Sequence, residues 1–209
     1  MIGDLSLMEL GIFLGGLLVA MSFHEAMHGF TAHWLGDTTA HEAGRLTLNP
    51  LKHVDLVMTI LLPLLMLMVG APPILAAKPV PFNPWKVKYE EFGVALIGLA
   101  GPLTNFALAL ITSLIIHAAG LSIGTDLYQI LSLFLQINIA LFVFNLIPFP
   151  PLDGSRLLYA FAPEPLQKVM QQIEAMGFGV IIIILVVLIP IIGPIIYNIN
   201  DFFINLLLG

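Results

Sequence analysis

Residues His24-Glu25-Ala26-Met27-His28 form an H-E-x-x-H motif. Histidines four positions apart lie on one face of a helix, one turn from each other. Both imidazoles can therefore reach a single metal ion. Zinc suits two His and a carboxylate, with a fourth position left for water. Glu25 is displaced around the helix from the two ligands, which places it to contact that water rather than the metal. It would act as general base, taking a proton from water that the metal has acidified. The motif lies at the end of a long apolar run that begins near Leu5. A central charge in a bilayer costs roughly 2.5–3.5 kcal/mol on insertion scales, and such residues are functional by default. A purely structural role for three of them in five positions is hard to justify.

Two His need a third protein ligand. His33 falls on the far side of the helix from His24 and His28. His41, Glu42, His53 and Asp55 lie in the first loop, where sequence does not rank them. His117 sits at the distal end of its helix and reads as a packed or interfacial side chain. Glu90 and Glu91 look like the solvated start of a membrane helix, and Asp126 like the cap of another. Asp153 remains, within "NLIPFPPLDGSR" (145–156). Pro148, Pro150 and Pro151 must break the preceding helix there. Irregular backbone at membrane depth is tolerated only where it is buried in protein or lines a wet cavity. An isolated Asp-Gly pair would read as a turn former. With H-E-x-x-H in the same chain, ligation is the stronger reading.

These side chains must be positioned by membrane helices. Of the 209 residues, 59% are hydrophobic and only 10% charged. An average soluble domain carries roughly 25% charged residues. Four segments provide the roughly 20 apolar residues that a bilayer core requires: 5–34, 92–118, 127–147 and a run from about 176. Pro190 and Pro194 should kink or break the last, leaving "YNINDFFINLLLG" as an interfacial or second half-helix. A fifth apolar run, 54–76, contains Pro63, Gly70, Pro72 and Pro73, which fit a segment that enters the membrane and turns back. "GRLTLNP" (44–50) reads as a short strand, and "AKPVPFNP" (77–84) as a second strand or a loop. The formal charge of -6 offers no basic face for nucleic acid. The absence of Cys limits any metal to N and O ligands. The N-terminus lacks the basic region of a cleaved signal peptide, and no internal repeat or appended soluble domain is visible, so residues 1–209 read as one integral membrane domain.

Three motifs together resemble the site-2 protease family of intramembrane zinc metalloproteases. They are H-E-x-x-H at 24–28, G-P-x-x-N at Gly101, Pro102 and Asn105, and N-x-x-P-x-x-x-x-D-G at Asn145, Pro148, Asp153 and Gly154. The similarity extends over nearly the whole chain. It implies that His24, His28 and Asp153 bind one zinc ion per chain and that Glu25 is the base. Asn105 and Asn145 match family positions and would orient substrate backbone or pack polar atoms between helices. The segment Arg45, Leu46, Thr47 and Leu48 could hold an unwound substrate by strand addition. Many relatives carry a PDZ or CBS domain, and neither has room here.

The expected fold is therefore an all-α polytopic membrane protein. A three-helix catalytic core is joined by one further span, a re-entrant segment at 54–76 and short membrane-associated strands. Sharing one zinc places His28 and Asp153 at the same membrane face, which a full crossing by 54–76 would forbid. The re-entrant reading also puts all 7 basic residues on one side. By the positive-inside rule the active site then faces the cytoplasm and both termini lie outside. The expected partners are a transmembrane protein substrate and membrane lipid, and the oligomeric state stays open. A non-catalytic, metal-stabilised scaffold is the alternative, and the intact Glu25 argues against it. An ion transporter is a third reading, weakened by the missing repeat.

Overall fold

A computed structural model of the chain describes residues 7–53 and 78–209. Seven α-helices follow one another among these residues: α1 (Leu7–Trp34), α2 (Thr39–Glu42), α3 (Glu90–Ala118), α4 (Asp126–Asn145), α5 (Gly154–Phe161), α6 (Glu164–Ala175) and α7 (Phe178–Leu208). Single 3-10 turns occupy Pro50–Lys52 and Pro84–Lys86. Helices α1, α3 and α4, and the Pro190–Leu208 part of α7, are long and apolar enough to cross a membrane.

The ends of the long helices are set by local chemistry. Gly36, at φ +101°, ends α1, and the Gly36 and Asp37 N–H groups return to the His33 and Ala32 carbonyls. This is the glycine-dependent closure that satisfies the last carbonyls of a helix. Gly120 closes α3 in the same way, through the His117 and Ile116 carbonyls. Helix α4 is capped by the Thr125 side chain, which accepts from the Tyr128 N–H. The expected cap, Asp126, is instead the first helical residue, where its charge favours the positive end of the helix dipole.

Helix α3 runs through the centre. Leu17, Ala20 and Met21 of α1 pack with Ile137 of α4. Behind them, Phe106 of α3, Phe142 of α4 and Phe203 of α7 stack with centroids 5.0–5.7 Å apart. Ser113 and His117, near the end of α3, both bond the Leu207 carbonyl, so α3 and α7 finish at the same end of the bundle. At the other end, the loop before α3 is stitched to the end of α1. The Lys88 N–H donates to the Leu35 carbonyl (2.9 Å), and the fully buried Asp37 carboxylate accepts from Thr39 and from the Asn83 N–H. Burial works against ionisation of Asp37, but the Thr39 and Asn83 donors outweigh it and hold its carboxyl below the ordinary range.

Several expectations need correcting. No strand occurs among the described residues. In "GRLTLNP" the Arg45 N–H returns to the Ala40 carbonyl and the Thr47 N–H to that of Arg45. Asn49 then caps the next 3-10 turn by accepting from the Leu51 N–H. Backbone groups spent on local turns leave no ladder to form. The last helix is not broken at Pro190 or Pro194, and α7 continues to Leu208. Both prolines are at i, i+4 spacing, so they weaken one face only. After the proline-broken turn that follows Asn145, the connection to the last helix holds α5 and α6. The expected re-entrant segment, 54–76, lies outside the described residues.

Candidate metal centre

The site is assembled from three elements. Helix α1 supplies His24, Glu25 and His28; α3 supplies the wall opposite; the turn between α4 and α5 supplies Asp153. His24 and His28 are both buried, with their Nε2 atoms 3.0 Å apart. Asp153 Oδ2 lies 3.0 Å from His24 Nε2 and 3.3 Å from His28 Nε2. The ligand atoms of His24, Glu25 and His28 all fall within 4.8 Å of one another.

The outer ring nitrogens reveal the character of the inner ones. His28 Nδ1 is 2.6 Å from the Ile97 carbonyl, which can only accept, so Nδ1 carries the proton. His24 Nδ1 is 2.6 Å from Asn105 Oδ1. The Asn105 amide hydrogens are committed to the Ala20 carbonyl and Asn138 Oδ1, so its oxygen faces the ring. In the neutral imidazoles both Nε2 atoms are then bare lone pairs. Asp153 Oδ2 is buried and makes no hydrogen bond. Three acceptors thus converge with no proton between them. A divalent cation satisfies all three. Their separations of 3.0–3.3 Å approach the roughly 3.3 Å kept by two ligands on one tetrahedral zinc. The donor set fits the ion.

Glycine makes room for this approach. A Cβ on Gly101 would lie 2.5 Å from His28 Nε2 and 2.6 Å from His24 Nε2. A Cβ on Gly98 would meet the Asp153 carbonyl at 2.9 Å and Arg156 Cβ at 2.8 Å. Gly154 packs directly on the Leu146 carbonyl, which lets the turn double back. Leu152 anchors that turn among Phe144, Ile147, Phe149 and Ile173. Pro102 lacks the N–H that the Gly98 carbonyl would otherwise receive, loosening α3 beside the site.

The remaining candidates fall into different places. Glu25 Oε2 accepts from the Val80 N–H at 3.0 Å. Asn105 is fully buried and bonds the His24 ring. Asn145 is half-buried and bonds the Leu141 carbonyl of its own helix. Arg45 is buried and donates to the Lys78 carbonyl at 2.6 Å. Leu46 and Val80 both rest on Gly29, one residue past His28. Arg45 and Leu46 therefore lie against the 78–80 segment, next to Gly29 and the site. His33 and His41 stack on each other outside the cluster, and His117 bonds Leu207 at the opposite end. Sequence reasoning missed the packing role of Gly101, and it missed Val80 and Asn138 altogether. Only the small-residue spacing of Gly98 and Gly101 carried a signal.

Four apolar helices, two of which enclose a two-His, one-carboxylate centre with an adjacent glutamate, define a membrane metalloprotease architecture. Residues 113–188, which include Asn138, Asn145 and Asp153, match the model of Peptidase family M50. The chain is 38% identical over 177 residues to a Bacillus subtilis protein named "Putative zinc metalloprotease YwhC", covering 81% of this chain and 78% of that one. A protein of Mycolicibacterium smegmatis named "Putative zinc metalloprotease Rip2" is 26% identical over 179 residues, covering 84% and 68%. The Mycobacterium tuberculosis protein of the same name is 27% identical over 177 residues, covering 85% and 66%. No solved structure matches significantly. The chain belongs to peptidase family M50 and is a multi-pass membrane protein of the metalloprotease class.

Proposed function

We propose that the chain hydrolyses peptide bonds within or beside transmembrane segments of other membrane proteins, using one zinc ion held by His24, His28 and Asp153. The observation that carries this reading is the convergence of three bare, buried acceptors beside Glu25. Bound zinc would polarise the scissile carbonyl and bring the pKa of its water to about 7. Glu25 takes the proton from that water and returns it to the leaving amine. One carboxylate oxygen is fixed by the Val80 N–H, so proton transfer falls to the other. Ile97 and Asn105 hold the imidazoles with their bare nitrogens inward. Zinc is favoured by the N/O donor set and by the names of the relatives.

The topology that goes with this reading has the site at the cytoplasmic face. Its support is a direct bond between His53 and Lys78, whose carbonyl and N–H meet at 2.9 Å. His53 and Lys78 thus lie side by side at one end of the bundle. Arg45, Lys52, Lys78, Lys86 and Lys88 belong to the segments stitched to that end of α1. Arg156 packs on Gly98 near the start of α3, and Lys168 pairs with Glu164 in α6. One-sided basic charge marks the cytoplasmic face.

The test is cleavage of a transmembrane reporter in vesicles by wild type and Glu25→Gln. The expected result is cleavage by wild type alone, with zinc retained by both. Equal cleavage by the two proteins would refute the role of Glu25. No cleavage by zinc-loaded wild type against a panel of transmembrane peptides would favour a scaffold.

A further inference from the structure

Asn138 lies in the middle of α4, is completely buried, and makes no contact with the metal-facing atoms. Its Nδ2 donates to the Phe134 carbonyl, one turn back, at 2.8 Å. A backbone carbonyl can only accept, so this bond fixes which end of the amide is which. Its Oδ1 then faces Asn105 and receives the Asn105 Nδ2 hydrogen at 2.9 Å. The second Asn105 hydrogen goes to the Ala20 carbonyl at 3.3 Å. With both hydrogens taken, Asn105 offers only its oxygen to His24 Nδ1. The polarity of one carbonyl on α4 is thereby transmitted through two amides to an imidazole on α1.

We propose that Asn138 is a positioning residue of the metal centre, acting through Asn105 to keep His24 protonated at Nδ1 and bare at Nε2. The inference rests on the zinc reading of the site. If Asn138 is removed, the Asn105 amide keeps only the longer bond to the Ala20 carbonyl, at 3.3 Å, and turns over at lower cost. Its NH2 would then face His24 Nδ1, favouring the tautomer that carries the proton on Nε2, where the ion must bind. Groups that orient a ligating histidine in this way typically contribute about 10- to 100-fold in metal affinity. The relay also spans all three core helices, so it fixes ring orientation against helix sliding.

The experiment measures zinc affinity by chelator competition on the full chain in micelles, with thermal unfolding in parallel. Asn138→Leu is expected to weaken zinc binding about tenfold or more. In an Asn105→Leu background it should add nothing further, because the link to His24 is already cut. Asn138→Asp should stay near wild type, since a buried neutral carboxyl can donate to Phe134 and accept from Asn105. Asn138→Ala carries the test if the leucine variant does not fold. A purely structural Asn138 would lower thermal stability with zinc affinity unchanged, or add its full effect in the Asn105→Leu background; either result overturns the inference. Wild type without zinc affinity would instead refute the function proposed above and the inference with it.

Discussion

Replacing Gly101 by alanine places a methyl group where the two imidazoles meet. The new Cβ would lie 2.5–2.6 Å from both Nε2 atoms, whereas carbon contacts are comfortable at about 3.5–4.0 Å. Roughly 1 Å of overlap must be relieved, and the structure offers no cheap way to do it. His28 is tied to the carbonyl of Ile97 and His24 to the side chain of Asn105. These anchors stand four residues before and four after Gly101 on the same helix. Moving α3 away therefore drags both rings with it. Overpacking of this kind typically costs about 1–3 kcal/mol. Charged against metal binding, that is roughly a 5- to 150-fold loss of zinc affinity, at about 1.4 kcal/mol per tenfold. The assay is chelator competition, with cleavage of a transmembrane reporter measured alongside. Gly15→Ala in α1 is the control, since nothing lies within 4 Å of a Cβ there. Wild-type zinc affinity in a folded Gly101→Ala protein would refute the packing argument and the placement of the ion.

Three further perturbations probe the surroundings. Val80 stands between Pro79 and Pro81, so Val80→Pro removes the N–H bonded to Glu25 in a segment that already carries proline on both sides. A hydrogen bond to a charged group contributes about 1.5–3 kcal/mol, so turnover should fall at least tenfold with zinc retained, while Val80→Ala keeps the donor and most activity. Equal turnover in the two variants would remove this bond from the mechanism. Asp37→Asn turns an NH2 group toward the Thr39 or Asn83 donors and should cost about 1–3 kcal/mol at neutral pH. Because the folded carboxyl is held below its unfolded value of 3.8, its contribution is present above that pH and is lost as pH falls through the folded value. The stability gap between Asp37→Asn and wild type should therefore close below about pH 4, and a gap independent of pH would contradict the assignment. Gly154→Ala drives a Cβ into the Leu146 and Ile147 carbonyls and should displace Asp153, lowering zinc affinity more than the thermal midpoint. The reverse ranking would mean that the turn stabilises the bundle and not the centre.

Much of the fold was legible because a bilayer imposes a simple length and composition rule. The spans at 5–34, 92–118 and 127–147 differ from α1, α3 and α4 by only a few residues at each end. The two-His pairing was legible for the same kind of reason, since i, i+4 spacing fixes geometry within one helix. The partner across the bundle was harder. Asp153 stood out through the proline-broken turn and the family motif, not through any local rule. What escaped depends on tertiary context. Gly101 matters through a close approach between helices that no single-helix pattern encodes. Asn138 resembles any polar residue of a membrane helix until Phe134 and Asn105 are seen on either side. Val80 acts through its backbone, which side-chain type does not report. The strand expected at 44–50 failed because a short alternating pattern cannot reveal that Ala40, Asn49 and Thr47 supply the hydrogen bonds locally. The expected break at Pro190 and Pro194 failed because a membrane helix tolerates proline when the rest of its ladder is protected from water.

The proposed chemistry depends on one zinc ion held by two imidazoles and one carboxylate drawn from widely separated parts of the chain. Zinc-edge X-ray absorption of the purified protein, compared with Asp153→Ala, reads that arrangement directly. One equivalent of zinc is expected, with two histidine nitrogens and low-Z oxygen in the remaining positions, and a marked loss of zinc in the variant. A wild-type spectrum without histidine scattering, or an unchanged spectrum and zinc content in Asp153→Ala, would contradict it.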